Sequence, residues 1–269
     1  MHDMNRVVGR DDLLFVTLDT LRFDVAERLH REGRTPNLSR LLGPAGWERR
    51  HSPSSFTYAA HHAFFAGFLP TPVAPGRHPR PFALRFEGSE TIREETCVFD
   101  APDLVHGLEG RGYHTICVGG VGFFNRKNPL GRVLPDLFAE SHWEPEFGVT
   151  NPHGLEAQID AAIAAIDRLP DTRRAFLFLD VSSLHQPNRF YVEGATEDSL
   201  ESHAAALEYV DRTLPRLFER LARRGRWLAI LCSDHGTAYG EDGYEGHRIG
   251  HEVVWTVPYG EVWLGGEPP

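Results

Sequence analysis

The chain has 269 residues, a formal net charge of −10 and a pI near 5.8, a balance that excludes a general nucleic-acid binder with its broad basic face. Hydrophobic residues at 41% and charged residues at 25% supply enough apolar surface for a sizeable core. Lys127 is the only lysine, so any chemistry that needs an amine has a single source.

In chain order, Met1–Arg10 carries no signal-peptide pattern, and the apolar run Leu13–Leu18 is far too short to cross a membrane. A cytoplasmic protein without a membrane segment is expected. That run reads as a strand, because unbroken Leu, Phe and Val content marks a strand covered on both faces. An amphipathic helix is predicted over Leu21–Glu32, and the loop Ser52-Pro53-Ser54-Ser55 precedes a helix starting near Thr57. Phe68–Glu90 is rich in Pro and Gly and too long for an ordinary connection, which marks either a substrate-facing loop or a merely mobile one.

Helix Ala101–Arg111, strand Tyr113–Val118, helix Gly154–Leu169 and strand Ala175–Leu179 follow. In Ser199–Arg224, Ala206, Val210, Leu214 and Leu217 recur at helical spacing, and Pro215 marks a kink or a break between two helices. Strands Trp227–Cys232 and Val257–Leu264 close the chain. The alternation predicts an α/β three-layer sandwich, a mostly parallel sheet with helices on both faces. No linker or repeat divides it, so residues 1–269 are expected to form one domain. Cys97, Cys117 and Cys232 lack metal-type spacing and read as buried thiols in a reducing compartment.

Three aspartates stand where apolar runs stop: Asp19 after LLFVTL, Asp180 after AFLFL and Asp234 after LAILC. Open α/β sheets bind ligands beyond the carboxyl ends of their strands. If these strands are parallel neighbours, the carboxylates converge, and such crowding requires protonation or a bridging cation. The alternative is that each aspartate caps the following turn. His235 follows Asp234, His185 lies five residues past Asp180, and His247 and His251 follow a Gly-rich loop. Imidazole with carboxylate suits zinc, manganese or iron.

The segments FVTLDTLRFDV (Phe15–Val25), TPNLSRL (Thr35–Leu41), TYAAHHAFFAG (Thr57–Gly67) and SDHGTAYGEDGYEGH (Ser233–His247) occur in this order. Together they resemble sulfatase-like members of the alkaline phosphatase superfamily. The resemblance implies two adjacent metal sites, filled most readily by zinc, with manganese or another divalent ion as the alternative. One would use Asp19, Thr57, Asp234 and His235. The other would use His185, His247 and Asp180, with His251 as a competitor for the place of His247. Two-metal relatives separate the aspartate and histidine by four residues, whereas Asp180 and His185 are five apart.

Thr57 is then the nucleophile, activated by metal coordination at a helix start, with Ser54 and Ser55 as fallbacks. His61, one turn later, is a candidate for contact with the substrate anion or a catalytic proton, or else a packing residue. Threonine cannot undergo the oxidation that sulfatases impose on their cysteine or serine, and His247 stands where they place a lysine. Both departures favour hydrolysis of a phosphate mono- or diester, or a phosphonate, through a phospho-threonine. Alternatives are a phosphoryl transferase, a sulfuric ester hydrolase and a non-catalytic metal-binding partner protein. The expected partner is a small anionic ester, with no nucleic acid or membrane, and an oligomer or partner protein could complete the site. Arg77, Arg80, Arg85 and Arg126 lie in loops that could approach the anion.

Overall fold

The computed structural model describes residues 2–67 and 103–267. The Phe68–Glu90 loop, Cys97, Arg77, Arg80, Arg85 and the start of the Ala101–Arg111 helix lie outside them.

The strands are β1 (Asp12–Leu18), β2 (Glu48–His51), β3 (His114–Val118), β4 (Glu140–His142), β5 (Ala175–Val181), β6 (Trp227–Cys232), β7 (Ala238–Tyr239), β8 (Glu245–Gly246) and β9 (Thr256–Leu264). Seven of them form one sheet in the order β2-β9-β6-β1-β5-β3-β4. β6, β1, β5, β3 and β4 pair in parallel, whereas β9 runs antiparallel to β6 and β2 antiparallel to β9. β7 and β8 form a separate antiparallel arm.

The helices are α1 (Met4–Val7), α2 (Phe23–Glu32), α3 (Pro36–Leu42), α4 (Thr57–Ala66), α5 (Leu104–Glu109), α6 (Leu130–Val133), α7 (Gly154–Asp167), α8 (Leu200–Thr213), α9 (Pro215–Arg224) and α10 (Glu252–Trp255). Alternate residues of one strand serve the two faces. Leu14, Val16 and Leu18 of β1 join a core with α2, α7, α8 and α9. Leu13 and Phe15 join the opposite core, with Phe56, Tyr58 and Phe65 from the α4 segment and Val105 and Leu108 of α5. Three layers result, as the periodicity predicts.

The predicted Ser199–Arg224 helix is two helices. Ser199 caps α8 in a reciprocal box with Ser202, and Pro215 opens α9, where its missing N–H costs nothing. β2 (ERRH) and β4 (ESH) have no apolar period and escape sequence reading, because edge strands need none. No helix among the described residues is long and apolar enough to cross a membrane.

Candidate functional site

The sheet order makes β6, β1 and β5 consecutive, so the three aspartates meet at one edge. The Asp19 N–H donates to Val181 O (3.1 Å), pinning the end of β1 to β5. The chain then turns sharply through Thr20, whose φ of 66° is costly for a β-branched residue. The Asp234 Oδ1 accepts from the His235 N–H (3.0 Å), while Asp234 Oδ2 and both Asp19 carboxylate oxygens are buried without a hydrogen-bond partner.

The His235 Nδ1 donates to Gly236 O (2.9 Å), which leaves Nε2 as the outward lone pair. That nitrogen is 3.6 Å from Asp19 Oδ1, 3.5 Å from Asp234 Oδ2 and 3.2 Å from Thr57 Oγ1. Ligand atoms of Asp19, Asp234 and His235 all lie within 4.8 Å of one another. The carboxylate separations are long for hydrogen bonds. They suit the edges of a tetrahedron, about 3.3 Å for donors about 2.0 Å from a zinc ion. With three orphaned carboxylate oxygens in the group, the donor set fits a divalent cation. Burial, then the neighbouring Asp234 and Asp180 carboxylates, pushes the Asp19 carboxyl well above the ordinary carboxylate range.

Thr57 is the first residue of α4. The preceding Phe56 is extended, and no side chain caps the helix, so its first-turn N–H groups meet no competing side-chain oxygen. Nearly all of α4 is buried, and Gly67 (φ 78°) ends it in the left-handed region. The helix therefore holds Thr57 on a rigid support. Neither Ser54 nor Ser55 lines the cleft beside Thr57.

His61 does not reach that cleft. It is fully buried behind Thr57, against Phe64, Phe65, Phe124 and Phe178. Its Nδ1 donates to Thr57 O (2.7 Å), and its Nε2 lies 3.3 Å from Thr17 Oγ1. Of the two sequence readings, these contacts match the packing one, and the ring also lies 3.9 Å from both Asp180 Oδ1 and Asp234 Oδ2. Asp180 is likewise outside the Asp19–Asp234–His235 group. Its Oδ1 accepts from Thr17 Oγ1 (3.0 Å) and its Oδ2 from the N–H groups of Gly120 (3.1 Å) and Val121 (3.3 Å). Burial raises its carboxyl to about 6, against the lowering influence of nearby His61.

The His185 and His247 rings are 5.2 Å apart, and the His247 and His235 rings 4.8 Å. They form a row from the carboxylate cluster into a cleft of about 610 Å³, lined by Thr57, Gly120, Val121, Trp143, His185 and His247 among others. The His185 Nδ1 donates to Gln186 O (2.5 Å), and burial holds its imidazole below the usual histidine range, which favours a neutral ligand. His251 instead caps α10 and pairs with Asp242 (3.1 Å), so it is no competitor for the place of His247. Arg126 is engaged by Asp136 (2.7 Å) and is not among the cleft-lining residues. A second cavity of about 530 Å³, mostly apolar and lined by Val8, Phe64 and Leu108 among others, contains none of the candidate ligands.

Two positions that shape the site were not singled out by sequence reading. Thr17 is a fully buried hydroxyl inside LLFVTL, and that lone polar residue in a buried strand was the available signal. Gly236 is the other. A Cβ there would lie 2.0 Å from Val253 O, and its N–H donates to Val254 O (2.6 Å). Gly236→Ala is expected to cost roughly 2–4 kcal/mol, because backbone rather than a flexible side chain must yield. Urea denaturation checks this; a loss under about 0.5 kcal/mol would show that the approach is not tight.

The family described as Sulfatase matches residues 11–259. No curated protein matches in sequence. Among solved structures, the C-terminal periplasmic domain of EcEptC from Escherichia coli, in complex with Zn, is similar at TM-score 0.63 and 12% identity, over 94% of this chain and 72% of that one. The lipoteichoic acid synthase LtaP from Listeria monocytogenes gives TM-score 0.63 and 14% identity, over 97% and 67%. An alkaline phosphatase superfamily protein from Vibrio parahaemolyticus gives 0.58 and 16%, over 97% and 62%.

Proposed function

The chain belongs to the sulfatase family, within the alkaline phosphatase superfamily, and from that membership we propose that it is a metal-dependent hydrolase of small phosphoric esters with Thr57 as its nucleophile. The observation that carries this reading is the buried group of Asp19, Asp234 and His235, with orphaned carboxylate oxygens, 3.2 Å from the Thr57 hydroxyl through His235 Nε2. Asp19, Thr57, Asp234 and His235 would hold one cation. His185 and His247 would hold a second without Asp180, and the mixed imidazole and carboxylate donors favour zinc.

A divalent cation bound there lowers the hydroxyl pKa and offsets charge on the phosphoryl oxygens. The chain's own residues supply the rest. α4 fixes Thr57 Oγ1, and its uncapped first turn offers N–H donors to a phosphoryl oxygen. The Nδ1 bonds of His235 and His185 fix the ring orientations. Thr57 Oγ1 attacks phosphorus as the bond to the leaving alcohol breaks, and water then cleaves the phospho-threonine. Two in-line displacements give net retention at phosphorus. Hydrolysis of an aryl phosphate mono- or diester with added zinc or manganese, followed by stereochemical analysis with a chiral phosphorothioate, tests this. Inversion would exclude the covalent route, and no turnover with either metal would remove the assignment.

A second reading is transfer of the phosphoryl group to an acceptor alcohol, for which the cleft has room beside a phosphoryl group. It is also consistent with phosphoethanolamine transferases among the structural neighbours. Product analysis with and without acceptor alcohols separates the two.

A further inference from the structure

Asp180 stands on the same sheet edge as the metal-site aspartates yet is chemically unlike them. Asp19 has two buried oxygens without partners, whereas both Asp180 oxygens are occupied. Its Oδ2 receives two consecutive backbone N–H groups, Gly120 and Val121, which follow β3 and line the cleft beside Thr57. We propose that Asp180 is a positioning residue that fixes the Gly120–Val121 backbone as a wall of the substrate cleft, rather than a metal ligand.

The surrounding geometry is built for that contact. A Cβ at position 120 would lie 2.6 Å from Asp180 O and 2.7 Å from Ser182 Cβ, and one at position 119 would lie 2.1 Å from Phe124 Cβ. Gly120 therefore lets the loop lie directly against the end of β5, and Gly119 lets it fold back over Phe124. Thr17 sits opposite Asp180 in the β1–β5 register and donates to Oδ1. Thr17 also lies 3.3 Å from His61 Nε2, and His61 Nδ1 donates to Thr57 O. One buried chain of contacts thus runs from the cleft wall through Asp180, Thr17 and His61 to the backbone of the nucleophile. A carboxylate is suited to its centre because it accepts from the wall on one oxygen and from the sheet on the other. Removing it strands two buried N–H groups.

The test compares Asp180→Ala and Asp180→Asn with wild type. Elemental analysis is expected to find unchanged metal stoichiometry in both variants. Hydrogen exchange is expected to show faster exchange at Gly120 and Val121 in Asp180→Ala, with most protection kept in Asp180→Asn, whose carbonyl oxygen can still accept both bonds. On the phosphoesterase reading above, kcat/KM falls about 10²-fold in Asp180→Ala, mainly through KM, and the amide variant recovers most of it. Loss of a metal equivalent in Asp180→Asn would overturn the proposal, as would unchanged amide protection in a folded Asp180→Ala. Metal content and exchange are read without turnover, so they decide the role of Asp180 even if the protein hydrolyses no phosphate ester. If Asp180→Ala does not fold, Asp180→Asn carries the metal readout and Asp180→Ser, whose shorter side chain cannot reach both N–H groups, carries the exchange readout.

Discussion

Thr57→Ala is expected to lower kcat by on the order of 10⁴- to 10⁶-fold, the upper end being what deleting a catalytic nucleophile costs, while shifting stability by only about 1 kcal/mol. The asymmetry follows from the site. The Thr57 side chain is buried at the start of a helix anchored by the apolar packing of Tyr58, Ala59 and Phe65, so losing a hydroxyl and a methyl leaves α4 in place. Its Oγ1, however, is the hydroxyl within 3.2 Å of His235 Nε2 and the atom through which the proposed chemistry runs. Thr57→Ser restores the oxygen and should recover activity to within about 10-fold, with the deficit assigned to the extra freedom of an unbranched side chain. Kinetics on an aryl phosphate, with a search for the phospho-enzyme in an acid-quenched reaction, checks both variants. Full activity in Thr57→Ala would remove Thr57 from the mechanism.

Stripping the cations is expected to abolish activity and to leave a protein whose stability declines as pH rises. Without a cation, Asp19 is a carboxyl with no hydrogen-bond partner, raised well above its ordinary range, and Asp180 is raised from 3.8 to about 6. A carboxyl raised in the folded state binds more protons folded than unfolded. Its penalty is therefore absent below about pH 4 and grows as pH rises through the folded value. For Asp180 the shift corresponds to about 3 kcal/mol, to order of magnitude.

The buried histidines act in the opposite sense. His62 and His203 are pushed down by burial to about 3, so they erode stability as pH falls below about 6.5. A difference measurement isolates Asp19. Metal-free Asp19→Asn should melt about 5 °C or more above metal-free wild type at pH 8, with the gap narrowing toward pH 4. With zinc added the order should reverse, because wild type gains binding free energy that the amide variant lacks. Thermal scans across pH with and without chelator provide the check. A chelated protein with unchanged melting and activity would exclude a structural or catalytic cation.

Much of this site was legible locally. Unbroken apolar runs located the central strands, and the aspartates ending three of them marked where polar chemistry could sit. The Ser-Pro-Ser-Ser loop before Thr57 placed a helix start. These features depend on residues close in sequence, where side-chain periodicity and capping act.

What only the tertiary structure decided depended on pairing between distant segments. The order β6-β1-β5 brought Asp234, Asp19 and Asp180 to one edge, and the β1–β5 register set Thr17 opposite Asp180. Once there, the three carboxylates competed for different partners. Gly120 and Val121, some 60 residues from Asp180, satisfied that one, and Asp19 was left with none. His61 turned inward because the sheet, not the cleft, lies against its face of α4. A sequence records which side chains can bind a cation; the fold determines which of them are already occupied.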